Sequence, residues 1–181
     1  MTMRLEAYTI EGVRSGTVLT EGSLTELLET VDELWVTDGR LTPLDGNAAI
    51  RDPNGPFALP IDELIVVVAP PGTMLPIHAA WHDVLLTTGP YELAGQMPTL
   101  PGFDAARALA RPTGTFVLLA RATLCLSGHP EAGLVELPLA LVHRYMVERV
   151  QSDLELGFYF PGAGSGTPDG LPRRLLTGPA A

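Results

Sequence analysis

Leu59-Pro60-Ile61-Asp62-Glu63-Leu64-Ile65-Val66-Val67-Val68-Ala69 is the stretch on which the fold turns. From Glu63 to Ala69 it is rich in β-branched residues and uncharged past Glu63, the pattern of a strand buried on both faces. A Leu-Pro pair ahead of an apolar strand recurs at Leu137-Pro138, before Leu141 to Val150. Other landmarks recur at nearly the same spacing. Gly12 answers to Gly89, Gly16 to Gly95, Gly22 to Gly102 and Trp35 to Phe116. Together with the two Leu-Pro pairs, the offsets are 77, 79, 80, 81 and 78, which one- or two-residue insertions reconcile. The spacing predicts a duplication.

The elements around these landmarks are short and punctuated by 19 glycines and 17 prolines, as in a β-rich domain. Arg4 to Ile10 and Val13 to Thr20 read as a hairpin turning at Glu11-Gly12. Ser23 and Glu26 fit a capping box ahead of Leu24, Leu27, Leu28 and Val31, which predicts one short amphipathic helix. Leu34 to Thr37 is a strand, Asp38-Gly39 a turn into Arg40 to Thr42, and Pro43 to Pro56 a loop. In the second half, His82 to Thr88 and Tyr91 to Met97 flank Gly89-Pro90. Phe103 to Ala110 reads as a second helix, Thr115 to Ala120 and Ala122 to Ser127 as strands, and Leu141 to Val150 as a long last strand.

The expected fold is mainly β with short helices (α+β): two tandem, small, partly open barrel-like repeats packed pseudo-symmetrically. Residues 1–70 form the first, 71–80 a linker, 81–160 the second, and 161–181 a flexible Gly/Pro-rich tail. Gly16-Thr17-Val18, Leu24 to Leu28, and Leu59-Pro60 through Val68 carry a family likeness. On these residues the chain resembles a family of small bacterial β-rich domains of unknown function, present here as two copies. The second half departs from that pattern, with Gln96 and Met97 after Gly95 and alanines in its helix. The resemblance implies a fold and brings no activity or site.

Composition excludes several functions. The chain has 181 residues and a net charge of -10, and its 11 bases are all arginine. Without lysine there is no Schiff-base chemistry and no Walker-type phosphate lysine. The acidity opposes nucleic-acid binding and adsorption to anionic membranes. Leu64 to His82 carries no Asp, Glu or Arg, but Pro70-Pro71-Gly72 and Pro76 break it, so membrane insertion is not expected. One cysteine, Cys125, and no secretory pattern at the N-terminus point to the cytoplasm.

Charge is unevenly divided. Residues 1–70 hold 12 acids and 4 arginines, whereas residues 71–150 hold 6 and 5. Glu21, Glu26, Glu29, Asp32 and Glu33 lie on or around the first helix. They read either as a solvated helix face or as a contact for an arginine-bearing partner, one candidate being Arg107 and Arg111 of the second half.

No constellation for catalysis emerges. His78 and His82 with Asp83 have helical metal-ligand spacing, but in a strand the two histidines stand about 13 Å apart, too far for one ion. No metal and no cofactor is expected. Cys125 reads as a buried, inert thiol, and Ser127 beside His129 lies too close in sequence for a triad. Gly162 to Gly166 lacks the following helix that a phosphate loop needs. Phe158-Tyr159-Phe160 either closes the core as a last strand or marks a partner surface. Arg173, Arg174 and Leu175, on a flexible tether, fit a docking peptide.

The sequence therefore predicts a non-catalytic binding, scaffold or assembly subunit. It would act through protein-protein contacts and form a homo-oligomer through strand edges or the Phe158–Phe160 segment. Its partner-binding residues would be Glu26, Glu29, Asp32, Glu33, Phe158, Tyr159, Phe160, Arg173, Arg174 and Leu175. The alternative is a small-molecule-binding protein or enzyme with a site between the repeats, lined by His78, His82, Tyr91, His143 and Arg144.

Overall fold

The computed structural model describes residues 1–44, 50–51, 55–99, 114–129 and 133–166. The expected second helix, with Arg107 and Arg111, lies outside the described residues, as do Arg173, Arg174 and Leu175. The chain is mainly β. Its strands are β1 (Thr2–Tyr8), β2 (Gly12–Leu19), β3 (Glu33–Pro43), β4 (Ile50–Arg51), β5 (Phe57–Pro60), β6 (Val66–Val68), β7 (Ala80–Thr88), β8 (Tyr91–Thr99), β9 (Phe116–Leu126), β10 (Val135–His143), β11 (Val147–Ser152) and β12 (Gly164–Gly166). One helix, α1 (Leu24–Thr30), lies between β2 and β3, and a 3-10 turn, Ile61–Glu63, follows β5. No helix among the described residues is long and apolar enough to cross a membrane.

All strands join one open sheet, in the order β12-β11-β7-β8-β9-β10-β6-β1-β2-β3-β4, with β5 also on β3. Instead of two separately hydrogen-bonded barrels, both halves share this path through β6. Val67 of β6 faces Ala7 of β1 on one side and Leu141 of β10 on the other. Residues of β6 also alternate between two cores, as strand geometry requires. Val66 enters a core with Val84, Leu86, Leu93, Leu119, Val142 and Val150. Val67 enters the other, with Leu5, Val18, Leu28, Leu34, Val36 and Leu59, which Phe116 and Leu141 of the second half complete.

Strand order and register recur in the two halves. The order β6-β1-β2-β3-β5 reappears as β11-β7-β8-β9-β10. Adding 79 to each number in the β1–β2 ladder reproduces the β7–β8 ladder: Leu5↔Gly16 becomes Val84↔Gly95. Beyond β2, adding 83 takes Leu34↔Leu59 to Val117↔Val142 and Ala7↔Val67 (at 79 for β1) to Leu86↔Val150. A β-bulge interrupts the β2–β3 and β8–β9 ladders at the glycine: the register shifts between Ser15 and Thr17 and between Ala94 and Gln96. Opposite these glycines, Asp38 (φ 52°) and Arg121 (φ 50°) adopt the left-handed conformation usual for glycine at a bulge. Gly16 and Gly95 thus both stand at bulges, 79 residues apart. Trp35, however, falls opposite Leu118 in this register, and Leu59-Pro60 opposite Val142-His143.

Several sequence expectations change in detail. Asp38-Gly39 and Arg121-Ala122 lie inside single bulged strands, not between two. The run Leu141 to Val150 is broken after His143 by a turn in which the Met146 amide donates to the His143 carbonyl (3.1 Å). The apolar run after Glu63 pairs as a strand only over Val66–Val68. Gly164–Gly166, expected in the flexible tail, pairs in parallel with β11. Phe158-Tyr159-Phe160 lies in a turn, with the amides of Tyr159 and Phe160 donating to Leu156 O (2.8 and 3.2 Å). That turn buries Phe160 fully and leaves Phe158 about half exposed.

Candidate functional site

The acidic residues around α1 have separate tasks. Ser23 caps the helix: its hydroxyl accepts from the Glu26 amide, and the Glu26 carboxylate accepts from the Ser23 amide at 3.1 Å. The capping box seen in the sequence is therefore present. Leu24 and Leu28 bury the inner face of the helix. Glu29, expected on a partner surface, instead accepts from the backbone amides of Thr115 (2.7 Å) and Phe116 (3.0 Å) at the start of β9. Gly114 makes room for it, since a Cβ there would sit 2.8 Å from Glu29 Oε1, and its φ of +103° favours glycine. Glu29 thus clamps the halves together from an exposed position, and Glu21 and Glu33 are exposed as well.

Beside this clamp lie His143 and Arg144. His143 is 7% exposed, packs edge-on against Phe116 (5.2 Å between ring centres), and among the described residues its Nδ1 finds no hydrogen-bond partner. Burial pushes its pKa down, outweighing a backbone hydrogen bond and the Asp62 and Glu29 carboxylates, which pull it up. Arg144 donates from Nη2 to Phe158 O (2.7 Å) and lies over the Tyr145 ring (5.2 Å). His143 stands at the junction of the halves, where its amide donates to Ile65 O (2.9 Å).

The other candidates make contacts of their own. Tyr91 donates to Thr9 O (2.7 Å) and meets Tyr8 edge-on, and burial raises its pKa well above the ordinary tyrosine value. His82 Nε2 sits 3.0 Å from Thr99 Oγ1, with Asp153 3.8 Å from Nδ1. Asp83 accepts from Gln96 (3.1 Å), and His78 is exposed between β6 and β7. Among the described residues, no three His, Cys, Asp or Glu side chains gather around a common point. Cys125 is buried, which raises its thiol pKa with help from Glu92. A buried thiol of raised pKa is a poor nucleophile.

One surface combines apolar and acidic groups. Trp35 is 63% exposed and Leu19 76%. The β2–β3 register, which sets Val18 against Val36, brings Leu19 opposite Trp35, and Ala58 of β5 flanks Trp35 on the other side. A groove of about 450 Å³ begins at Leu19 and runs past Thr20, Glu21, Gly22, Ser23 and Glu26 to Leu27 and Thr30. Glu33 shares the Trp35 face, being two residues away on the same strand. This surface holds Glu26 and Glu33 of the sequence candidates and adds Leu19 and Trp35. Leu19 was legible in principle: strand alternation from the buried Val18 turns it outward. A second groove, of about 410 Å³, is lined by Leu75, Trp81, Gln96, Ala120 and Arg121, beside the exposed Met74 and Ile77.

Comparison of the chain with protein families, with curated proteins and with solved structures finds no match.

Proposed function

We propose that the chain is a non-catalytic binding or assembly subunit that holds an arginine-bearing protein segment on the Leu19–Trp35 face of its first half. The observation that carries this reading is the pairing of two large exposed apolar side chains with the carboxylates Glu21, Glu26 and Glu33 beside an open groove. An indole face attracts a guanidinium by cation–π interaction, and nearby carboxylates add charge complementarity. Monomeric proteins seldom leave contiguous apolar surface without a partner. The chain itself offers such a segment in Arg173-Arg174-Leu175-Leu176, which makes homo-oligomerisation part of the proposal.

We read the two halves as copies of one unit, in line with the shared strand order, hairpin register and bulges. The family likeness stated above agrees with that reading through Gly16-Thr17-Val18, at the first bulge.

A synthetic peptide of residues 170–177, titrated against the full chain by isothermal calorimetry, tests the site. Saturable, salt-sensitive binding that weakens in Trp35→Ser and in the double variant Glu21→Gln/Glu33→Gln is expected. Binding unaffected by these substitutions, or none at all, would remove the arginine-segment reading.

A further inference from the structure

The sheet edge at which the halves meet has a counterpart at the far end of the second half. Val66, Val67 and Val68 of β6 pair with Val142, Leu141 and Ala140 of β10. Adding 83 to those valine numbers gives Arg149, Val150 and Gln151 of β11, and these three residues pair with β12. The chain's own strand therefore occupies the edge that would receive the next unit. The core beneath follows the same plan. Phe116 and Leu141 of the second half complete the first core, and Leu156 and Phe160, on the segment leading to β12, complete the second.

At the opposite end, β5 is the counterpart of β10, and among the described residues it pairs only with β3. Toward β6, the β10 edge is anchored at both ends: Leu139 O accepts from the Ala69 amide (3.1 Å) and the His143 amide donates to Ile65 O (2.9 Å). The counterparts of Leu139 and His143 are Pro56 and Pro60. Proline has no N–H to give to a ladder, so a strand arriving at β5 meets a single outward donor, Ala58.

We propose that β12 is an edge cap, holding β11 closed against the β5 edge of a second copy of this chain. The occupant follows from the fold, because the chain already builds this contact once, between its own halves. The proposal rests on reading the halves as copies of one unit. Removal of the cap leaves a β11 edge that accepts β5 of another molecule in the antiparallel register of β10 on β6, with Ala58 facing Val150. Repeated addition is head-to-tail and open-ended, in contrast to a closed two-fold pair.

The test is light scattering over a concentration series on the full chain and on a chain ending at Ala163, which keeps Leu156 and Phe160. At high salt, which suppresses the arginine-segment contact, the truncated chain is expected to gain mass with concentration where the full chain does not. In the truncated background, Ala58→Pro should weaken association about threefold to tenfold, as expected for one lost hydrogen bond, and Pro60→Ala should strengthen it similarly. Should the truncation unfold, the full-length variant Gly164→Pro/Gly166→Pro, which strips amide donors from β12, gives the same readout. A mass that matches the full chain at every concentration overturns the cap. Association indifferent to residues 58 and 60 overturns the choice of β5, and with it the equivalence of the halves. Neither result touches the peptide site on the Leu19–Trp35 face.

Discussion

Leu118 and Trp35 occupy matching places in β9 and β3, yet Leu118 packs against the core of the first half while Trp35 stands in solvent. The same contrast holds one strand over, where Leu141 is buried between the halves and its counterpart Ala58 is only partly covered. Burial here is set by what lies alongside: β9 and β10 lie against the first half, whereas among the described residues no such neighbour covers β3 and β5. An apolar residue at a matching place is therefore packed on a core in one half and left exposed in the other.

The contrast breaks most sharply at Leu141. Leu141→Ala should cost about 2–5 kcal/mol in a urea titration, because it empties a core that both halves share. A loss below about 1 kcal/mol would mean the halves pack independently. Next in size is Glu29→Ala. It leaves the Thr115 and Phe116 amides without their carboxylate and should cost about 1–3 kcal/mol. Glu26→Ala, which removes only the return bond of a cap, should cost about 1 kcal/mol or less.

The bulge glycines offer a paired test. A Cβ at Gly16 would lie 2.4 Å from Val36 Cγ1 and 2.8 Å from Thr37 O, whereas at Gly95 the nearest atom is Ala122 Cα at 3.2 Å. Gly16→Ala should therefore lose about 1–3 kcal/mol, and Gly95→Ala clearly less. Equal losses would argue that the bulges relax in the same way despite their different surroundings.

His143 supplies a smaller, pH-dependent effect. Its folded pKa lies below the ordinary 6.5, so below that pH the unfolded chain takes up a proton that the folded chain refuses. The stability contributed by the neutral ring is complete above about pH 6.5 and declines as the pH falls toward the lowered value. His143→Phe should flatten the difference in urea midpoint between about pH 7.5 and about pH 5.5. Smallest of all is the effect of Trp35→Ser on folding, expected to stay within about 0.5 kcal/mol while binding to the arginine peptide falls. A large stability loss there would mark Trp35 as a structural residue.

Much of the local structure was legible. The β1–β2 hairpin and the Ser23–Glu26 capping box follow from patterns only a few residues long. Leu141 to Val150 misled because both strands and the turn between them are largely apolar, and Arg144, which would mark a surface turn, is buried against Phe158 O. The Leu-Pro landmark misled in another way. Leu-Pro occurs by chance at unrelated places in β5 and β10, and only pairing across the sheet shows that Pro60 stands where His143 does. For the candidate site, acidity was visible but its division of labour was not. Which carboxylate caps, which clamps and which stays free depends on a strand 86 residues further along the chain.

The core completed by Phe116 and Leu141 carries a consequence for biosynthesis. As the chain leaves the ribosome, residues 1–70 emerge with β6 lacking one neighbour and the core lacking two of its walls. That core stays open until about seventy more residues have been added. The nascent first half therefore leaves apolar surface uncovered over that interval, and codon changes that slow translation before Leu141 should lower the yield of folded protein more than the same changes placed after it.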